Sequence, residues 1–189
     1  MLQIRIHGRG GQGAVVASQI LSYAFFLQES YAQSFPTFGA ERRGAPVAAF
    51  VRASDSFIDL RCQITQPSHV LVLSGKLAET VDVASGLKQH GLLLINSDKP
   101  ASDFAFLGED FAIRTMDISR IALKHGLGTR IMPMVNAPIL GAFARLSGLL
   151  SLDSLLRSLP AFIPANLEGN KAAIRETYES AEQVETASP

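Results

Sequence analysis

The chain has 189 residues, of which 47% are hydrophobic, and its seventeen basic and seventeen acidic side chains leave no net charge. This length supports one well-filled core and is short for two, and the charge balance gives no support to a role in binding nucleic acid or an anionic membrane. Apolar runs fall short of the roughly 20 residues of a membrane-spanning helix. The single cysteine, Cys62, excludes an internal disulfide, and alone it holds neither an iron–sulfur cluster nor a structural zinc. We therefore expect a cytoplasmic, globular protein without its own metal centre, built as one domain over residues 1–189 with a frayed tail at 185–189.

The first predicted element is a strand that runs into a glycine-rich turn. Leu2, Ile4 and Ile6 alternate with polar residues, which is the pattern of a half-buried strand. Residues 8–13, here called the glycine turn, follow at once and consist of Gly8, Arg9, Gly10, Gly11, Gln12 and Gly13. An apolar stripe at helical spacing then predicts a helix over 14–27. Such a strand–turn–helix unit can present backbone N–H groups to a phosphate.

The rest of the chain alternates between strand and helix patterns. Alternating or continuous apolar runs predict strands at 31–35, 47–51, 57–64, 70–73, 92–95 and 111–115. Helical spacing and capping residues predict helices at 77–87, at about 117–124 after Asp117 or Ser119, from Asn136 as N-cap, from Ser151 to Pro160, and at 167–182. The order predicts an α/β fold: a three-layer α/β/α sandwich with a Rossmann-like, mostly parallel sheet and a helical C-terminal part.

The glycine turn allows three interpretations. Its Gly-x-Gly-x-x-Gly spacing fits a dinucleotide site, but that site also needs an acidic residue about 20 positions on, at the end of the second strand. Here Glu29 lies before that strand and Glu41 lies in the loop after it. A P-loop is excluded because no Gly-Lys-Ser/Thr follows. The turn could instead bind a phosphate-bearing ligand shared with another subunit, with Gln12 adding its amide, or it could simply require small residues.

A second candidate lies in the loop that follows the second strand. Arg42 and Arg43 stand between two glycines, and paired guanidiniums can fork onto phosphate or carboxylate oxygens. The alternative is a solvated loop in which Glu41 pairs with Arg43, an interaction of little energetic value. In a doubly wound sheet the loops after the first two strands share one crevice, which would place both arginines near residues 10–13.

Other reactive side chains form no recognisable catalytic set. His7, His69, His90 and His125 are scattered, without spacing that indicates metal ligation or a proton relay. The serines lack a nucleophile-elbow context, and Cys62 lies in a strand pattern where packing is the simpler explanation. The sequence therefore does not indicate a self-sufficient enzyme.

Several segments together resemble the gamma subunit of 2-oxoacid:ferredoxin oxidoreductases. The glycine turn within residues 4–14 and the Phe-Gly-Ala-Glu-Arg-Arg-Gly-Ala-Pro loop within 35–47 carry the resemblance, supported by 50–55, 136–142 and 166–170. The resemblance covers nearly the whole chain. The loop motif is most similar to that of the enzymes that act on pyruvate and on branched-chain 2-ketoisovalerate. One departure is Ser74-Gly75, where many family members have Asp near the end of the central strand.

The resemblance implies a part of a complex with alpha, beta and delta subunits. Thiamine diphosphate and Mg²⁺ would lie on alpha and beta, and [4Fe–4S] clusters on beta and a ferredoxin-like delta chain. The complex would convert a 2-oxoacid to acyl-CoA and CO2 and reduce ferredoxin. The gamma chain would pack on the thiamine-binding subunits and help receive coenzyme A, while the isolated chain would be inactive and could dimerise. Under this hypothesis coenzyme A or subunit contacts come from Gly8, Gly10, Gly11, Gln12, Gly13, Arg42 and Arg43. A stand-alone nucleotide-binding oxidoreductase and a purely structural assembly subunit are the alternatives.

Overall fold

The computed structural model describes residues 1–37 and 44–183, which form a six-stranded sheet flanked by helices. The strands are β1 (Leu2–Arg9), β2 (Tyr31–Pro36), β3 (Pro46–Ser54), β4 (His69–Val72), β5 (Leu92–Asn96) and β6 (Ala112–Met116). Their order is β2-β3-β1-β4-β5-β6. The three pairs from β1 to β6 are parallel, and β3 is antiparallel to both β1 and β2. The predicted mostly parallel sheet is confirmed, with an antiparallel hairpin at one side.

Helices cover both faces of the sheet, as the three-layer prediction requires. They are α1 (Ala14–Phe26), α2 (Gly75–Ala78), α3 (Ile118–Lys124), α4 (Pro138–Ser147), α5 (Leu152–Ser158) and α6 (Leu167–Ser180), with 3-10 turns at Ala101–Leu107, Leu159–Ala161 and Ala181–Gln183. One face carries α1 and the C-terminal helices, and the other carries α2 and the first 3-10 turn. Within the described ranges no helix is long and apolar enough to cross a membrane.

The apolar alternation along the strands divides the core between the two faces. Ile4 and Ile6 of β1 pack with α1, together with Leu71 of β4. Val70 and Val72 of β4 face the opposite layer. The continuous apolar runs of β4 and β5 are therefore explained by burial on both sides, as is usual for parallel strands between helical layers.

The predicted strand at 57–64 is wrong, because side chains rather than a backbone ladder hold this segment. The Arg52 guanidinium donates to the carbonyls of Leu60 at 3.3 Å and Cys62 at 2.7 Å. The Gln33 amide donates to the Leu60 carbonyl at 2.7 Å. These bonds tie the segment across β2 and β3 without making it a strand.

The helix predicted at 77–87 is also wrong, since α2 ends at Ala78 and turns follow. Arg5 of β1 donates to the carbonyls of Val83 at 3.0 Å and Ser85 at 2.7 Å. Gly86 then adopts a left-handed φ of +69°. The two carbonyls accept bonds from the sheet, so the segment covers β1 as a series of turns.

Candidate functional site

The sheet topology creates a crevice at the carboxyl ends of β1 and β4. These strands are adjacent and parallel, and the connection after β1 leads to β2 and β3 on one side while β4 begins the other side. In open α/β sheets, ligands bind where the strand order reverses in this way. The glycine turn lies at the end of β1, and Ser74 and Gly75 follow β4. We call the space between these two walls the switch-point crevice.

The glycine turn is closed by its own hydrogen bonds. The Arg9 N–H donates to Oε1 of Gln12 at 2.7 Å, and the Gln12 N–H donates to the Arg9 carbonyl at 2.9 Å. Gly11 and Gly13 have φ of +96° and +80°, a region that side chains other than glycine rarely adopt. The oxygen of the Gln12 amide therefore shapes the turn, a role that the ligand-contact prediction for Gln12 did not include.

The N-terminus of α1 gives the glycine turn a positive character. The first N–H groups of a helix have no acceptor within it and carry the positive end of its dipole. Gly13 is the N-cap, and the first turn of this helix has no acidic residue to offset that charge. The arrangement suits a phosphate or another anion.

Asn136, which is far from the glycine turn in sequence, packs against it. It is only 2% exposed, and a Cβ placed on Gly13 would lie 2.6 Å from its Nδ2. Its Oδ1 is buried and has no hydrogen-bond partner among the described residues. The predicted capping role of Asn136 is wrong: α4 begins at Pro138 with Ala137 as N-cap. The side chain turns toward Gly13 and links α4 to the glycine turn.

The loop after β2 returns to the same edge of the sheet. The Gly10 N–H donates to the Ala45 carbonyl at 2.9 Å, and the Gly44 N–H donates to the Gly10 carbonyl at 3.2 Å. The expected proximity of this loop to the glycine turn is thus confirmed for Gly44 and Ala45. Its cause differs from the predicted one, because β2 forms a hairpin with β3 and only β3 adjoins β1. Residues Glu41, Arg42 and Arg43 lie outside the described residues, and their positions stay a prediction.

A polar cleft of about 530 Å³ continues the switch-point crevice across the ends of β4, β5 and β6. We call it the strand-end cleft. Its charged lining residues are Lys76, Glu79, Asp98, Lys99, Asp117 and Arg130. At its rim Lys99 pairs with Glu79 at 2.8 Å. The Lys99 hydrogen bond lowers the pKa of the Glu79 carboxyl and raises that of Lys99 in turn. Charges of both signs fit a polar ligand with donor and acceptor groups.

Asn96 links three elements beside the strand-end cleft by hydrogen bonds. Its Nδ2 donates to the Leu73 carbonyl at 3.0 Å and to the Ser119 hydroxyl at 2.9 Å, and its Oδ1 accepts from the Ser119 N–H at 3.1 Å. The end of β4 and the start of α3 are thereby fixed to β5. Sequence reasoning missed this residue, and the only signal was a polar side chain directly after the buried run 92–95. Asp117 fulfils its predicted capping role by accepting from the Arg120 N–H at 2.9 Å.

Three of the four histidines have a structural explanation among the described residues. Burial lowers the pKa of His7 to about 3, with a further contribution from the Arg5 charge, so this imidazole is neutral at physiological pH. Burial also lowers the pKa of His69, whose Nδ1 accepts from the Leu92 N–H. His125 pairs with Glu176 at 2.7 Å on the surface of the helical layer. In the ranges that the structure describes, no three His, Cys, Asp or Glu residues are grouped as a metal site.

Comparison with known proteins identifies the family. Residues 3–180 match the family model described as pyruvate ferredoxin/flavodoxin oxidoreductase. The chain belongs to this family. It is 45% identical over 185 residues to pyruvate synthase subunit PorC of Methanothermobacter thermautotrophicus, covering 97% of this chain and 98% of that one. It is 41% identical over 182 residues to the pyruvate/ketoisovalerate oxidoreductases common subunit gamma of Pyrococcus abyssi, covering 95% and 96% of the two chains.

A solved structure supports the same assignment. Pyruvate oxidoreductase subunit PORC of Thermotoga maritima superposes with a TM-score of 0.82 at 32% identity, over 98% of each chain. The gamma-subunit resemblance found in the sequence and the predicted fold are both confirmed by this family and its members. The chain is thus the gamma-type subunit of a 2-oxoacid oxidoreductase.

Proposed function

We propose that this gamma subunit packs on thiamine diphosphate-binding alpha and beta subunits in the cytoplasm and supplies one wall of the site that receives coenzyme A. The complex, completed by a delta chain, would convert pyruvate and coenzyme A to acetyl-CoA and CO2 while reducing ferredoxin. Thiamine diphosphate, Mg²⁺ and [4Fe–4S] clusters would belong to the other subunits. The observation that carries the proposal is the glycine turn at the N-terminus of α1, bonded to the end of the loop that contains Arg42 and Arg43.

The chemistry of coenzyme A matches the two parts of the site. Its diphosphate and 3′-phosphate are anions, which helix N-termini and arginine forks bind well. Its amide-rich arm needs donors and acceptors of the kind that line the strand-end cleft. The buried amide of Asn136 beside Gly13 adds a polar group at the junction with α4. We propose Gly8, Gly10, Gly11, Gln12, Gly13, Arg42 and Arg43 as the residues that form this wall.

The sheet order argues against the stand-alone dinucleotide-binding alternative. In a dinucleotide-binding fold the strand after the first helix lies parallel and next to the first strand, and its end carries the ribose-binding acid. Here the neighbour of β1 on that side is the antiparallel strand β3. Among the described residues, neither the end of β2 nor the start of β3 beside the glycine turn carries an acidic side chain. A purified chain that retained a nicotinamide or flavin dinucleotide would contradict this argument.

The double substitution Arg42→Ala with Arg43→Ala tests the proposal in the purified complex. Each lost charge-assisted hydrogen bond is worth about 1.5–3 kcal/mol, so we expect the KM for coenzyme A to rise roughly tenfold or more, since 1.4 kcal/mol is a factor of ten. Subunit composition should not change. The matched control is Arg157→Ala with Arg175→Ala, two exposed arginines on α5 and α6.

Three outcomes separate the possible roles. An unchanged KM with unchanged assembly would show that the two arginines do not contact coenzyme A. Loss of subunits from the complex without a change in KM would favour the structural assembly role. Reproducible recovery of the native chain without a thiamine diphosphate-containing subunit would refute the proposed function as a whole.

A further inference from the structure

A short hairpin between α3 and α4 presents apolar side chains directly to solvent. It comprises residues 128–134 and is called here the 128–134 hairpin. Ile131 is 97% exposed, Met132 55% and Met134 48%, whereas Leu127 and Val135 at its base are buried. Three large apolar side chains so close in sequence and so exposed are costly in water, and contiguous exposure of this kind marks interaction sites.

The 128–134 hairpin is closed by its own backbone hydrogen bonds. Thr129 and Met132 exchange backbone hydrogen bonds of 3.0 Å in both directions, and the Met134 N–H donates to the Leu127 carbonyl at 3.1 Å. Gly128 bridges to Pro133 with a φ of +82°, and a Cβ there would lie 2.3 Å from the Met132 carbonyl oxygen. These bonds restrict the tip before any partner binds, which lowers the free energy that a partner would spend on ordering it.

The position of the hairpin connects it to the proposed site. Arg130 and Pro133 line the strand-end cleft beside Asp117 and Ser119. A protein seated on Ile131 would therefore stand at the mouth of that cleft. Arg130 is exposed, and the ion pairs formed among the described residues do not include it. Its guanidinium is therefore available to pair with a carboxylate of a partner.

We propose that the 128–134 hairpin is an anchor that inserts Ile131 into an apolar pocket, edged by a carboxylate, on the thiamine diphosphate-binding part of the complex. The inference rests on the proposed function, which makes such a subunit the neighbour that closes the cleft. A second copy of this chain fits less well, because tip-to-tip contact about a two-fold axis would bring two Arg130 guanidiniums together. Met132 and Met134 would pack around the inserted isoleucine with their adaptable side chains.

The test compares Ile131→Asp with Ile131→Leu in the full-length, tagged chain produced in its native cell. Both variants should keep the unfolding temperature of the unsubstituted chain, because the side chain at 131 has almost no contacts to lose. We measure thiamine diphosphate bound per captured chain and the dissociation of the purified complex on dilution. Loss of a central apolar anchor should weaken assembly at least tenfold, whereas the leucine variant should assemble normally.

The outcomes distinguish this inference from the function on which it rests. If the unsubstituted chain captures no thiamine diphosphate, the proposed function fails first. If it captures thiamine diphosphate and Ile131→Asp captures as much with equal resistance to dilution, the anchor inference alone is wrong. Charge reversal by Arg130→Glu should also weaken assembly, and more so at low salt. An Arg130→Glu complex of unchanged stability would overturn the acidic rim of the pocket.

Discussion

Replacing Gly13 with alanine measures how tightly Asn136 closes on the glycine turn. The substitution adds one methyl group at a residue whose φ is +80°. That methyl carbon would lie 2.6 Å from Nδ2, 3.0 Å from Cγ and 3.1 Å from Cβ of Asn136. Two separate costs follow, one from the backbone conformation and one from crowding of a buried side chain.

The two costs can be assigned magnitudes. A left-handed conformation costs a residue with a Cβ about 1–2 kcal/mol, and forcing a buried side chain to move typically costs a further 1–3 kcal/mol. We therefore expect Gly13→Ala to lower the free energy of unfolding by about 2–5 kcal/mol. In an Asn136→Ala background only the Cβ at 3.1 Å remains. The cost of Gly13→Ala there should fall to about 1–2 kcal/mol.

The free energies of unfolding of Gly13→Ala, Asn136→Ala and the double variant, measured by urea denaturation, form a double-mutant cycle. Gly148→Ala is the matched control, because Gly148 has a φ of +65° but no atom within 4 Å of its Cβ position. It should show the conformational cost alone and be additive with Asn136→Ala. If Gly13→Ala costs no more than Gly148→Ala, and costs the same with and without Asn136, the close packing is refuted.

Two further predictions concern His7 and Asn96. The unfolded chain protonates His7 near pH 6.5 while the folded chain resists protonation down to about pH 3, so stability is lost as the pH falls through this window. From pH 7 to pH 5 the His7 share of that loss is about 2 kcal/mol; urea denaturation at both pH values should show a smaller loss for His7→Gln, and an equal loss would contradict it. Asn96→Ala leaves the Leu73 carbonyl and the Ser119 N–H without their partner. It should cost about 2–3 kcal/mol, measured by urea denaturation; a cost indistinguishable from zero would be evidence against the described network.

The elements that the sequence predicted correctly are those whose pattern is set by their own burial. The spacing of apolar residues in β1 and α1 marks the face that each element buries against the other. This local spacing was enough to predict both elements. The segments 57–64 and 77–87 carried similar local patterns and were mispredicted. Their carbonyls accept from Arg52 and Arg5, two arginines of neighbouring strands that lie outside either segment. Local spacing contains no information about such distant donors.

In the candidate site, too, the sequence predicted only those features that local residue types determine. The glycine turn was identified because its residue types are required by its backbone conformation. The roles of Asn136 and Asn96 depend on packing between segments far apart in the chain, so neither could be inferred from its neighbours in sequence. For Asn136 the local signal was misleading, since an asparagine two residues before a helical proline is a favourable capping pattern.

The central place of β1 in the sheet has a consequence for biosynthesis. This strand is the first to be made, yet Ile4 pairs with Val51 on one side and with His69 on the other. Its two edges stay open until both distant strands have been synthesised, and such non-local pairing is slow to form. A nascent chain halted before residue 69 would already contain the whole glycine turn but not the opposite wall at Ser74 and Gly75. A crevice with both walls therefore forms only after translation has passed β4 and both halves of the sheet have joined.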